Sequence, residues 1–141
     1  MGKRRKGREI VLQAAYAARL SGNPLADCLS DQLARRRSAD ESAAFATDLA
    51  AKLSAHADVC ETWLARLLEH WDPDRVGAVE RVILLLALTE LRFSPEVPWR
   101  VVINEACELA RRFCDEEAVA FVNGILDRAA AEVGTAGDSG G

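Results

Sequence analysis

Residues 78–92, AVERVILLLALTELR, constrain this chain more than any other stretch. Val79, Val82, Ile83, Leu84, Leu85, Leu86, Leu88 and Leu91 leave a helix of that length almost no polar face. Such a helix is either enclosed by others or shows one apolar strip to a partner. Its longest unbroken apolar run, Val82–Leu88, is seven residues, against the roughly 20 that span a bilayer. Elsewhere apolar residues recur at helical spacing, and strand signals are nearly absent. The expected fold class is all-α, a bundle of about seven helices.

Glycine and proline punctuate the chain. Ser21-Gly22-Asn23-Pro24 ends a first helix that starts near Arg5 to Arg8, since Gly stops a helix and Pro can open the next. A second helix is expected from Leu25 to about Arg36, and a third from about Asp40, with Phe45, Leu49 and Leu53 on one stripe. Cys60, Trp63, Leu64, Leu67, Leu68 and Trp71 form a further stripe; the pattern leaves open whether residues 55–58 break that helix in two. Trp71-Asp72-Pro73-Asp74 is the clearest internal break, expected to divide two subdomains at about 9–71 and 75–133. Two prolines make 94–98 a loop. Helices should follow from about Pro98 to Phe113 and, capped by Asp115, to about Val133. Residues 134–141 are expected to be a flexible tail.

Chemistry in this sequence is sparse. There is no nucleophile elbow, no Gly-rich phosphate loop, and no histidine beside a nucleophile. His56 and Cys60 have a ligand-like spacing, but no third or fourth ligand is suggested nearby. Four cysteines without a CxxC read as reduced, buried thiols in a cytoplasmic protein without a signal peptide. No catalytic residue, cofactor or metal is expected. Glu90, one turn from Leu86 in the most apolar helix, reads as a cap for backbone amides of the 94–98 loop. Asn104-Glu105 could tie its helix to that same loop. Gly124 costs a helix about 1 kcal/mol relative to Ala, which close helix–helix packing is expected to offset.

Charge is more telling. The net charge is −4, yet Lys3, Arg4, Arg5, Lys6 and Arg8 place +5 in the first eight residues; the remaining 133 carry 13 basic and 22 acidic side chains, a net of −9. Cations at a helix N-terminus oppose the macrodipole, so the cluster does not help its helix fold. It is a solubilising tail or an arm for polyanions. Arg5, Glu9, Gln13 and Tyr16 share one helix face, which extends the arm with an amide and an aromatic. Phe121 is a core residue or a ring for base stacking. Together these features favour RNA binding, with unpaired nucleotides lying across the cationic leader and the helical body.

Four stretches carry a family resemblance: the Arg-rich start running into REIVLQAAY, VERVILLLALTEL at 79–91, VPWRVVINEACELARRF at 97–113, and FVNGILDR at 121–128. They resemble the bacterial transcription antitermination factor NusB family, whose members are all-helical with two subdomains. The resemblance implies a non-enzymatic protein that binds single-stranded boxA RNA in ribosomal RNA transcripts. It would do so together with NusE, a ribosomal protein, in a complex with other Nus factors and RNA polymerase. By motif it assigns RNA binding to Lys3, Arg4, Arg5, Lys6, Arg8, Gln13, Tyr16, Glu117 and Phe121. It assigns the NusE-facing surface to Glu80, Arg81 and Leu84. Members commonly have Arg at the position of Leu85 and Tyr at that of Thr89, two departures in the helix that would help meet NusE. Residues 25–58 match only in pattern. Two alternatives stand beside this reading. One is a detached NusB-like targeting domain of a ribosomal RNA methyltransferase; the other is a homodimerisation module using the apolar 78–92 surface.

Overall fold

The computed structural model describes residues 2–37 and 40–137. Among them are seven α-helices, one 3-10 turn and no strand. The helices are α1 (Gly2–Ser21), α2 (Leu25–Arg36), α3 (Asp40–Ala55), α4 (Ala57–Leu67), α5 (Ala78–Phe93), α6 (Trp99–Phe113) and α7 (Glu116–Gly137).

Local chemistry sets the ends. Gly22 takes φ +81° and its N–H reaches the Ala18 carbonyl at 2.8 Å, closing α1. Arg37 adopts a left-handed conformation, φ 47°, and closes α2 through Leu33. Pro24 and Pro98 precede α2 and α6, where a missing N–H costs nothing. Asp115 accepts the Ala118 N–H at 2.8 Å, the expected cap of α7. Two expected ends differ. Helix α1 begins at Gly2 rather than between Arg5 and Arg8, and α7 runs through Gly137, so residues 134–137 are helical rather than tail. Residues 138–141 lie outside the described residues.

The chain forms two compact units, residues 1–56 and 57–141. The expected boundary at Trp71–Asp74 instead falls inside the second unit. The physical reason is α4. Its Cys60, Trp63, Leu64 and Leu67 are buried, and it packs on α5 and α7. The break that matters is His56, which separates α3 from α4.

In the first unit α1 packs on α2 and α3. Ile10, Val11, Ala14, Cys28, Leu29, Ala46, Leu49 and Ala50 are buried there. Gly7 permits the close approach: a Cβ there would meet Phe45 Cδ1 at 2.8 Å and the Ser42 carbonyl at 3.1 Å.

In the second unit α5 is the central helix, contacting α4, α6 and α7. Every residue from Val82 to Leu91 is buried. Each large side chain taken out of water there contributes roughly 1.5–3 kcal/mol. This resolves the two options that the sequence allowed: the apolar helix is enclosed, and residues 82–91 offer no strip for homodimerisation. Glu90 is 3 % exposed, and its backbone carbonyl accepts the Ser94 N–H at 3.0 Å.

Candidate nucleic-acid interface

The cationic leader is a helix. Lys3, Arg4, Arg5 and Lys6 are exposed on the first two turns of α1, whose first turn holds no acid. Three contacts fasten these turns to α3. Lys3 Nζ donates to Glu41 Oε1 at 2.7 Å. The guanidinium carbons of Arg8 and Arg4 lie 4.9 Å and 5.6 Å from the Phe45 ring centroid. Hydrogen bonding and proximity to Lys3 hold the Glu41 carboxyl below the usual carboxylate range.

The other expected residues of this face are less open. Arg8 is 4 % exposed and Glu9 6 %. Arg8 therefore sits under the cluster as part of the α1–α3 contact, not among the exposed cations. Gln13 and Tyr16 are half-buried. Gln13 Oε1 accepts from Arg36 Nη2 at 2.5 Å, and Arg36 Nε donates to Gln32. Thus α2 brings Arg36, which the sequence reading overlooked, beside Gln13.

Glu117 and Phe121 lie in the second unit, on the first turns of α7. They line an open pocket of about 500 Å³ with Trp71, Arg75, Glu80, Asp115, Ala118 and Ala120. Trp71 and Phe121 meet edge to face, ring centroids 4.7 Å apart, a favoured aromatic geometry. Trp71 is 45 % exposed and Phe121 half-buried. The pocket thus offers ring surface, one guanidinium and three carboxylates. Trp71 and Arg75 were missed as site residues because the Trp-Asp-Pro-Asp break read as a spacer. The aromatic signal was there, but its partner is 50 residues away.

The expected partner surface divides. Glu80 and Arg81 are partly exposed on the first turn of α5. The Glu80 carboxylate folds back over Gly77, occupying the space that a Cβ at 77 would need. Arg81 pairs loosely with Glu61 at 3.9 Å. Leu84, by contrast, is fully buried. It cannot meet a partner, because α5 turns that face toward the core of its own unit. Leu85 and Thr89 are buried too. The Thr89 hydroxyl donates to the Leu85 carbonyl at 2.7 Å and lies 3.5 Å from Cys60 Sγ. The departures at 85 and 89 therefore alter the core and leave the exposed first turn of α5 untouched.

Beside the pocket, burial chiefly, with Glu80 and Asp115 adding to it, pushes the Cys114 thiol up to about 11. It stays protonated near neutrality. Among the described residues no three His, Cys, Asp or Glu side chains gather as metal ligands, and no helix is long and apolar enough to cross a membrane.

Comparison with known proteins agrees with this architecture. The family model described as "NusB family" matches residues 5–131. The transcription antitermination protein NusB of Myxococcus xanthus is 36 % identical over 134 residues, covering 92 % of this chain and 96 % of its own. That of Shewanella amazonensis is 40 % identical over 126 residues, covering 89 % and 93 %. The solved NusB of T. maritima superposes with a TM-score of 0.83 at 32 % identity, covering 92 % of this chain and 91 % of its own. A crystal structure of the antitermination factors NusB and NusE in complex with dsRNA gives 0.84 at 23 % identity, covering 94 % and 98 %, a likeness of fold. With a family model that reaches into all seven helices and relatives this similar over nearly their whole length, the chain belongs to the NusB family of transcription antitermination proteins.

Proposed function

We propose that this protein is an RNA-binding antitermination factor. It binds boxA-type single-stranded RNA together with NusE and promotes processive transcription of ribosomal RNA operons in the cytoplasm, alongside other Nus factors and RNA polymerase. It acts by binding and performs no chemistry. The observation that carries the reading is the pre-formed cationic start of α1. Four exposed Lys and Arg side chains stand on an ordered helix where they oppose its dipole. That placement makes sense when phosphates complete it.

In this reading Lys3, Arg4, Arg5 and Lys6 meet phosphates. Gln13 and Tyr16 stand farther along α1, with Arg8 beneath the cluster. Phe121, with Trp71, offers ring surface to an unpaired base, a contact that contributes roughly 1–3 kcal/mol where it forms. Glu80 and Arg81 face NusE. The acidic remainder of the chain repels phosphates elsewhere and so confines RNA to the few cationic places.

The test is titration of a boxA-type RNA with and without NusE across a salt series. We expect tighter binding with NusE and a slope of about −0.7 per phosphate contacted. Replacing Arg4, Arg5 and Lys6 by Ala should flatten the slope by about 2 while the helical content holds. Intrinsic fluorescence should change on binding and lose that response in Trp71→Phe. Duplex RNA of the same sequence serves as the second arm. Preference for the duplex, or an unaltered slope in the triple variant, would overturn the reading.

A further inference from the structure

The leader sequence poses a physical problem that the fold answers through contacts with α3. Five cations within the first two turns of a helix repel one another and oppose its dipole. The first four N–H groups of any helix also lack intrahelical partners. Left to itself, such a segment frays. Yet α1 is helical from Gly2.

Two features of the first unit converge on Phe45, and a third lies one turn away. Its ring takes the guanidiniums of both Arg8 and Arg4, at 4.9 Å and 5.6 Å from the centroid. Its Cδ1 would lie 2.8 Å from a Cβ at Gly7, so no larger residue fits between the helices without displacement. One turn earlier on α3, Glu41 holds Lys3 at 2.7 Å. Arg8 is buried whereas Arg4 is exposed. The ring therefore has one cation beneath the surface and one at it. Burying a guanidinium is costly, and the π face beside Arg8 is one contact that offsets part of that cost.

We infer that Phe45 is a positioning residue for RNA binding: by holding Arg8 below and Arg4 above, it sets the first two turns of α1 as a rigid cationic comb. The inference rests on the proposed RNA-binding role of α1. It changes how that role operates. An unstructured arm would lose conformational freedom on binding, whereas a comb already in place loses little. Arg8 then acts through the helix it anchors rather than through a phosphate of its own. Phe45 touches no nucleotide in this account.

Phe45→Leu keeps an apolar side chain but removes the π face, and Phe45→Tyr restores the face. We expect Phe45→Leu to weaken a boxA-type single-stranded RNA about fivefold, the size of one partly exposed cation–π contact. The salt slope should stay unchanged because every cation is still present. Phe45→Tyr should recover parental affinity. In an Arg4→Ala background, whose own slope drops by about 0.7, the loss on adding Phe45→Leu should shrink below about twofold. A purely structural role for the ring would not produce that coupling. In the free protein, amide hydrogen exchange of residues 6–9 should speed up in Phe45→Leu and not in Phe45→Tyr.

Equal RNA affinity for Phe45→Leu and the parent overturns this inference alone. So does a Tyr variant that behaves like Leu, or exchange at residues 6–9 that ignores the ring. A parent protein that binds no RNA overturns the functional reading, and this inference with it.

Discussion

Two single residues show how local rules and tertiary surroundings divide the explanation. Gly7 and Gly124 both sit inside helices, where glycine costs about 1 kcal/mol relative to Ala. At Gly7 the close approach of Phe45 and the Ser42 carbonyl justifies that cost. At Gly124 it does not. The position is exposed, and an added Cβ meets nothing within 4 Å, so the helix packing expected from the sequence is absent. Its neighbour Asn123, also exposed, accepts a long contact of 3.7 Å from Cys107 Sγ. Gly124→Ala should therefore stabilise the protein by about 1 kcal/mol, read as a higher denaturant midpoint; an unchanged or lower midpoint would refute open space at that site. Gly7→Ala should destabilise, since the two backbones have to part. Glu41 gives a third prediction at this scale. As the exposed counter-ion of Lys3 it competes with phosphate. Glu41→Gln should tighten RNA binding about twofold at low salt, and the gain should fade as salt screens the pair.

Among the elements, α7 shows how a helix is held at both ends by different chemistry. Asp115 caps its start, and Glu116 accepts from Arg111 Nε at 3.0 Å. Near its other end Glu132 takes both Arg66 guanidinium nitrogens, at 2.9 and 2.7 Å, and Trp63 Nε1 at 2.8 Å. The Arg66 hydrogen bond, helped by that of Trp63 and opposed by burial, brings the Glu132 carboxyl down to about 2. A depressed carboxylate stabilises the fold fully above its ordinary value of 4.5. That contribution is lost as pH falls toward 2. Glu132→Gln should therefore flatten the acid limb of a melting-temperature profile between about pH 4.5 and 2. At neutral pH the cost should stay below about 1 kcal/mol, because the Arg66 partner is about half exposed. Helix α5 carries the opposite lesson. Its apolar character was legible from composition, but its enclosure and the choice of residues that keep exposure were not. Glu80 and Arg81 keep exposure while Leu84 has none, because the stripe that meets the core is chosen by α4, α6 and α7 together. Leu84→Ala should cost about 2–5 kcal/mol, seen in thermal melts. A near-neutral effect would return Leu84 to the surface.

On the scale of the whole chain, two features matter: where charge sits and where the units divide. A protein of net charge −4 can bind a polyanion only through local excess, and the first eight residues hold that excess. The all-helical class, the caps at Asp115 and Gly22, the apolar character of residues 82–91 and the basic cluster could all be read from the order of residues. Periodicity, proline, glycine and charge act over a few neighbours, so a linear reading captures them. Four things needed the tertiary structure: the division at His56 rather than Trp71–Asp74, the burial of Arg8 and Leu84, the meeting of Trp71 with Phe121, and the hold of Phe45 on Arg4 and Arg8. Each depends on contacts between residues far apart in sequence, where packing and not propensity chooses the partner.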